Sequence, residues 1–198
     1  MRTRQRGFTL LEVLITITVI MLVAAFAAPS MMRMVYGARL RARAADLSDL
    51  HQRARILAAK NNQIYQILYV PAGAGAPPYA FIDVDQNGIF NVVNDPVMYF
   101  TGTVVPAAGA PAGAGGVPNY VLVGDSGPGA WDNTMTLAYG PRGLPCAYPA
   151  QPGPCLTPAI QYFVYYLQDV RPGGKWAAVV VTKSGRSKVV MWSGTAWM

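Results

Sequence analysis

Residues 7–30 read GFTLLEVLITITVIMLVAAFAAPS, a run in which Glu12 carries the only charged side chain. Glu12 is also the only glutamate in the 198-residue chain. The run is long enough to cross a bilayer as a helix, for which about 20 apolar residues suffice. An ionised carboxylate in hydrocarbon is costly unless it meets a partner. The run therefore predicts a membrane-spanning helix whose carboxylate pairs with a positive group.

A candidate for that positive group lies just upstream of Glu12. Residues 1–7 form a basic segment with three arginines, and Gly7 stands immediately before Phe8. Cleavage after Gly7 would leave a positive amine on Phe8, four residues from the carboxylate. The pattern thus suggests a processed membrane segment whose charge is satisfied by a new N-terminus.

Two alternatives for the N-terminus compete with cleavage after Gly7. Residues 25–27, Ala-Phe-Ala, offer a small-x-small cleavage site of an ordinary secretory signal. A plain membrane anchor, with the arginines held in the cytoplasm, is the second alternative. Both leave Glu12 without a partner, and neither requires Gly7 next to Phe8.

The stretch Gly7-Phe8-Thr9-Leu10-Leu11-Glu12-Val13-Leu14-Ile15 resembles the class III signal of type IV pilins and type II secretion pseudopilins. The resemblance implies cleavage after Gly7 by a prepilin peptidase and N-methylation of Phe8. It implies that Glu12, the fifth residue after the cut, pairs with a Phe8 amine during assembly with other pilin or pseudopilin subunits on an inner-membrane platform. It also implies a single-pass inner-membrane protein with a periplasmic head, later part of a pilus or pseudopilus.

Beyond Ser30 the helical pattern continues as an apolar stripe. The stripe recurs at steps of three and four residues, through Leu40, Ala44, Leu47, Leu50 or His51, Ala54 and Leu57. Pro29 should kink the helix, and Asn61-Asn62 is a plausible stop. We therefore expect one helix over residues 8–61, apolar all round at first and amphipathic afterwards. His51, without a second ligand nearby, is expected to be a packed or surface histidine.

The remaining residues predict a β-rich, loop-heavy head. Candidate strands are Gln63–Val70, Tyr79–Asp83, Val97–Thr101, Tyr120–Val123, Thr134–Tyr139, Ile160–Gln168, Trp176–Thr182 and Ser187–Trp192. Two loops rich in Ala, Gly and Pro, Pro71–Pro78 and Pro106–Pro118, are expected to be mobile or docking loops. The expected fold class is α+β, with a leader at 1–7, a spine helix at 8–61 packed on an antiparallel sheet, and a head at 62–198.

The head resembles the GspH/FimT-type minor pseudopilins and minor pilins. The resemblance begins at Ala27–Ser30 and continues through Arg53–Gln63, and it includes Phe81–Gly88, Gly140–Gly143 and Ser184–Trp192. It implies a minor subunit of a type IV pilus or of a type II secretion pseudopilus. Related minor pilins are implicated in DNA uptake, which makes Arg186 and Lys188 candidate DNA contacts. The alternative for those two residues is a solvated hairpin.

An acidic turn within that resemblance has the spacing of a calcium loop. Asp83, Asp85 and Asn87, followed by Gly88, match the first half of an EF-hand loop. The twelfth position is Asn94 instead of a bidentate glutamate, and Asp95 comes one residue late. The candidate ligands are Asp83, Asp85, Asn87, Asn94 and Asp95, and the alternative is a plain turn between two strands. Calcium is thus the one candidate cofactor.

Cys146 and Cys155, the only two cysteines, bracket eight residues that include three prolines. In an exported head they are expected to form a disulfide, with free thiols as the alternative. No other cysteine or nearby histidine completes a zinc site. With one histidine and no paired nucleophile and base, the sequence does not predict an enzyme.

The charge balance adds little to the choice of partner. The net charge is +7, and removal of the three leader arginines leaves +4 on the mature side chains. This mildly basic balance does not require nucleic acid. A structural assembly subunit is therefore the expected function. A DNA-binding minor pilin is the first alternative, and a secreted adhesin or binding module with an ordinary signal is the second.

Overall fold

The computed structural model describes residues 9–73, 75–100, 102–107, 109–112, 137–148, 153–156 and 162–198. Contacts divide the chain into two compact units, one up to Gly37 and one from Ala38 onward. Both contain part of a single helix, α1, which runs Leu10–Asn61. The second unit also contains nine strands within its described residues, so the expected α+β fold class is confirmed.

Helix α1 begins with a side-chain cap. The Glu12 amide donates to the Thr9 side-chain oxygen Oγ1 at 3.2 Å and to the Thr9 carbonyl at 3.1 Å. A threonine oxygen that accepts from the third helical amide satisfies one of the unpaired donors at a helix start. The expected start at Phe8 lies outside the described residues.

Helix α1 ends where the sequence predicts, at Asn61. Asn62 adopts a positive φ of 55°, and the Gln63 amide donates to the Ala58 carbonyl at 3.2 Å. This left-handed residue with its backward hydrogen bond is a common helix terminator. Pro29 lies inside α1, so it does not end the helix.

The first unit exposes apolar side chains all around α1. Among the described residues, one helical segment, Leu10–Ala27, is long and apolar enough to cross a membrane, and all of it is exposed. Such a surface has no apolar partner among the described residues of the unit, so its burial requires lipid or other chains.

Nine strands of the second unit form two antiparallel sheets. The five-stranded sheet has the order β3-β2-β1-β5-β6, and the four-stranded sheet has the order β4-β7-β8-β9. The bounds are β1 Tyr65–Val70, β2 Tyr79–Asp83, β3 Val97–Tyr99, β4 Val104–Ala107, β5 Leu137–Tyr139, β6 Pro145–Ala147, β7 Tyr162–Asp169, β8 Trp176–Thr182 and β9 Ser187–Met191.

Strands β4 and β6 were not predicted from the sequence. The predicted loop Pro106–Pro118 begins inside β4, where Pro106 pairs with Leu167 of β7. The predicted loop Pro71–Pro78 contains a paired turn, in which the Ala76 amide donates to the Gly73 carbonyl at 2.8 Å. The expected strand Tyr120–Val123 and the first half of Thr134–Tyr139 lie outside the described residues.

The stripe on α1 packs against both sheets in the main core. Its buried side chains are Leu40, Ala44, Leu47, Leu50, His51, Ala54 and Ala58. They meet residues of the five-stranded sheet such as Tyr65 and Ile82, and residues of the four-stranded sheet such as Phe163 and Val179. Residues of α1 from Leu40 onward therefore belong to the same core as the strands.

His51 is the polar residue at the centre of this core. Its Nδ1 lies 3.2 Å from the Tyr139 hydroxyl, its Nε2 lies 3.4 Å from the Tyr69 hydroxyl, and its ring packs 4.8 Å from that of Tyr165. Burial away from water lowers the pKa of His51 from 6.5 to about 3. The ring is therefore neutral in the folded protein, with one nitrogen donating and the other accepting.

We predict that His51 makes the protein less stable as the pH falls. Since the unfolded state takes up a proton near pH 6.5 and the folded state does not, stability should fall by about 1.4 kcal/mol per pH unit below that value, down to a pH of about 3. Urea unfolding of the full chain in detergent, followed by tryptophan fluorescence, measures this slope. The variant His51→Gln should lack this contribution. Equal slopes in both proteins between about pH 6.5 and pH 4.5 would contradict it.

Candidate functional site

The proposed processing site borders the described part of the chain. Gly7 and Phe8 lie outside the described residues, and Thr9 is the first residue with a defined position. Glu12 lies in the first turn of α1, and its side chain is exposed. Among the described residues its carboxylate has neither a salt bridge nor a hydrogen bond. The structure thus leaves this carboxylate available to a group outside the described part of the chain.

The helix start reveals a second property of Glu12 that the sequence analysis missed. Thr9 and Glu12 have the spacing of a capping box, in which a threonine caps the third helical amide and a glutamate stands at that position. A negative charge in the first turn is also favoured by the helix dipole. The motif Thr-x-x-Glu is readable in the sequence. The Thr9 side chain thus caps the Glu12 amide, whereas the Glu12 carboxylate accepts no hydrogen bond from the described residues.

The acidic turn after β2 is held by its own carboxylates. The two oxygens of Asp83 accept from the amides of Asn87 at 3.2 Å and Gly88 at 2.9 Å. The two oxygens of Asp95 accept from the amides of Val84 at 2.9 Å and Asn91 at 2.7 Å. Both carboxylates are buried. Four charge-assisted hydrogen bonds thus define the shape of the loop between β2 and β3.

Phe90 fixes the same loop from its apolar side. Its ring lies 5.1 Å from that of Tyr79 and 5.3 Å from that of Phe81, between ring centres. Tilted aromatic pairs at such distances are favourable. The aromatic contacts and the carboxylate hydrogen bonds together give this connection a defined conformation.

Asp85 completes a group of three acidic side chains. Ligand oxygens of Asp83, Asp85 and Asp95 all lie within 4.8 Å of one another. Partial desolvation and a hydrogen bond with Asp83 raise the pKa of Asp85, and the charges of Asp95 and Asp83 act in the same direction. A backbone hydrogen bond at Asn87 opposes the shift. Asp85 is therefore repelled by its neighbours when it is ionised.

The structure brings together three of the five expected calcium ligands. Asp83, Asp85 and Asp95 can offer oxygens to one cation, whereas the Asn87 side-chain oxygen accepts from the Ile89 amide at 2.7 Å. Asn94, next to Asp95 in sequence, is exposed. Calcium requires six to eight oxygens. Since the loop is already held by backbone amides, calcium binding stays a prediction.

Cys146 of β6 forms a disulfide with Cys155, with their Cα atoms 5.4 Å apart. The bond joins β6 to the bridge at which Ala147 pairs with Leu156. Gly140 lies against it, since a Cβ at that position would be 3.1 Å from the Cys155 sulfur. The expected disulfide between the two cysteines is therefore present, and it lies at the edge of the five-stranded sheet.

The candidate DNA contacts lie on the last hairpin. Residues 183–186 connect β8 to β9, as predicted, with Gly185 at a φ of 78°. Arg55 of α1 donates to the Gly185 carbonyl at 3.3 Å and so ties the hairpin to the helix. Arg186 and Lys188 are exposed on this hairpin. Arg171, another basic residue of the second unit, is in a salt bridge with Asp169. DNA binding stays a prediction.

We predict that the Asp85→Asn variant melts at a higher temperature than the unaltered protein near pH 7 with a chelator present. Asp85 has a raised pKa when folded, so its contribution to stability is present below its ordinary pKa of 3.8 and is lost as the pH rises. The gain should therefore shrink as the pH falls towards that value. Asp49→Asn, on the exposed face of α1, changes the net charge equally and serves as the control. An equal effect of both variants on the melting temperature would rule out repulsion within the cluster.

The comparisons with known proteins identify the N-terminal segment. Residues 2–28 match the prokaryotic N-terminal methylation motif. No curated protein and no solved structure matches the chain. The matched residues include the Gly7–Phe8 junction, Glu12 and the whole exposed apolar segment of α1. This motif is found in the class III leader of type IV pilins, and it indicates a type IV pilin-like precursor.

Proposed function

We propose that this protein is a minor pilin or pseudopilin, a structural subunit of a type IV pilus or of a type II secretion pseudopilus. The observation that carries the proposal is the methylation motif at residues 2–28, on a chain whose apolar helix begins at the third residue after the proposed cut. The exposed apolar surface of Leu10–Ala27 supports burial in the inner membrane before assembly and against other subunits afterwards.

Processing at Gly7 and Phe8 would prepare the chain for assembly. The arginines at positions 2, 4 and 6 hold the leader on the cytoplasmic side. Cleavage after Gly7 by a prepilin peptidase removes them and leaves a cationic amine on Phe8, which is then methylated. The new amine is the positive group that the apolar segment otherwise lacks. Cleavage thus removes the arginines that orient the segment in the membrane, and it creates the amine that would pair with Glu12 during assembly.

Glu12 would then set the position of each subunit against its neighbour. In a bundle of apolar helices, a lone carboxylate opposite a lone amine is a polar contact with a defined height. Breaking one partner of a buried pair costs about 3–5 kcal/mol, because the other charge is left unpaired. The free carboxylate at the start of α1 supports this role. Open-ended growth into a filament follows when such contacts do not close on themselves.

The second unit would form the periplasmic head. A disulfide between Cys146 and Cys155 fits an oxidising compartment. The resemblance of the head to the GspH/FimT-type subunits supports a minor position in the filament. A DNA-binding minor pilin would keep the same architecture and add contacts at Arg186 and Lys188.

We predict that the mature protein begins with N-methyl-Phe8. Intact mass and N-terminal sequencing of the protein purified from membranes should show this residue. Gly7→Leu should abolish cleavage, since a bulky residue replaces the small one before the cut. The matched control is Ala27→Leu, which alters the ordinary signal-peptidase site and should leave the mature mass otherwise unchanged. A mature start at Ala28 would instead establish the secretory signal.

We predict that Glu12→Gln loses filament assembly although it is still processed. Glutamine at this position is compatible with a capping box, but it removes the charge that would pair with the amine. Assembled subunits recovered by shearing or cross-linking should fall at least about tenfold in both Glu12→Gln and Glu12→Ala. If Glu12→Gln assembles normally while Glu12→Ala does not, capping within the helix is the role of this residue.

A further inference from the structure

Three charged residues with alternating sign lie on the exposed face of α1 in the second unit. They are Arg39, Asp46 and Arg53, separated by seven residues each. Seven residues are close to two helical turns, so the three side chains lie above one another. All three are exposed. We call this set the charge stripe.

Most of the charge stripe has no ion-pair partner in the part of the chain that the structure describes. Arg39 and Arg53 form no salt bridge with any described residue. Asp46 forms a salt bridge with Arg43 at 3.0 Å. The Arg43 side chain is 35% exposed and the Asp46 side chain 47% exposed. Such an exposed pair contributes little to stability and exchanges partners easily. The stripe therefore offers charges that a second molecule can use.

Surface depressions follow the charge stripe. One, of about 440 Å³, lies between Arg39, Asp46 and the segment Gly102–Val104. The next, of about 400 Å³, lies between Asp46, Arg53 and strand β3. Asp46 lines both. The stripe thus runs along a shallow charged groove with room for the long side chains of another surface.

Copies of this chain that are anchored in one membrane run parallel, because each carries its apolar segment at the same end. In register, parallel stripes would set Arg39 against Arg39 and Asp46 against Asp46. A shift of seven residues, about 10 Å along the helix, instead sets Arg39 of one copy level with Asp46 of the other, and Asp46 level with Arg53. A shift of 14 residues would again oppose two arginines. The shift of seven residues therefore gives opposite charges at two of the three levels at which the stripe meets a charged residue.

We propose that the charge stripe of α1 binds the same stripe on a second, parallel copy of this chain, shifted by seven residues. This rests on the proposed function, since the membrane anchor makes the copies parallel. The same shift brings Arg53 level with Lys60, whose flexible stem lets its ammonium group turn to solvent in the last turn of the helix. A helical array gives each subunit several neighbours at different offsets. One subunit can therefore make its Glu12 contact with one neighbour and its stripe contact with another.

The first experiment mixes copies of opposite charge. Asp46→Arg makes the whole stripe positive, and the double variant Arg39→Asp with Arg53→Asp makes it negative. Cross-linking between copies of the full chain in membranes should fall about tenfold in either variant, because like charges face each other. It should return when the two variants are expressed together. Raised salt should weaken the contact in the unaltered protein.

The control for this experiment is Arg41→Asp. Arg41 is also exposed on α1, but two residues from Arg39 and so on another side of the helix. This variant should cross-link like the unaltered protein. Restored cross-linking in the mixture supports the proposal, because only a contact between molecules can be repaired by a different copy. Failure to restore it would overturn the proposal, since the mixture places opposite charges on the two copies.

The second experiment measures the shift without changing the stripe. Ala42 and Asp49 lie seven residues apart on the exposed face of α1. Copies with Ala42→Cys and copies with Asp49→Cys are expressed together, and the membranes are oxidised. Disulfides between the two kinds of copy should exceed those between two Ala42→Cys copies several-fold. Equal or greater cross-linking between Ala42→Cys copies would mean in-register pairing and would overturn the proposal.

The two proposals fail separately. If N-methyl-Phe8 is found but mixing restores nothing, processing stands and the stripe contact is wrong. If mixing restores the contact but Phe8 is unmodified, the copies bind each other without pilin processing.

Discussion

The packing of the α1 stripe against two separate sheets is the interaction on which the second unit depends. Leu47 and Ala54 are fully buried there, in one core with strands of both sheets. Among the described residues, no strand pairing joins the five-stranded sheet to the four-stranded sheet. The helix supplies the apolar surface that both sheets share. Because apolar burial is the main driving force of folding, this contact unites the two sheets in one unit.

The composition of α1 changes along its length. The first part exposes apolar side chains all round, and the second part buries one apolar face in the protein core. From Leu10 to Ala27 every position is exposed and nearly all are apolar, which suits lipid or other apolar helices. From Leu40 onward the apolar residues are largely confined to one face, and charged residues occupy the others. A single element can therefore serve as a membrane segment and as the core helix of a folded unit. This division explains why one charge, Glu12, stands out in the first part while charges are ordinary in the second.

The sequence predicts those features that depend on local periodicity and end signals. The three- and four-residue spacing identifies the buried face of α1, and Asn62 marks its end because asparagine tolerates a positive φ. Strands β4 and β6 escape prediction, since both are short and contain a proline, Pro106 and Pro145. Their pairing is decided by partners distant in sequence, which local propensity does not reveal. The alternating carboxylates predict the acidic turn. They do not predict that the carboxylates of Asp83 and Asp95 accept hydrogen bonds from backbone amides of the loop.

Glu12 stands at the start of α1, and the proposed function gives it an intermolecular role. The Thr9–Glu12 cap places the carboxylate in the first turn, where the unpaired amides of the helix favour negative charge. That attraction lowers the cost of an ionised group before assembly, when no neighbouring amine is present. The described residues supply no stronger partner for Glu12, and helix-end attraction is worth about 0.3–1 kcal/mol at an exposed site, less than the cost of a charge in hydrocarbon. Under the proposed function, the remaining deficit favours transfer of the helix from lipid to a neighbour that presents a cation. In the proposed function, a carboxylate that can enter the membrane but lacks a cationic partner there is well suited to drive assembly.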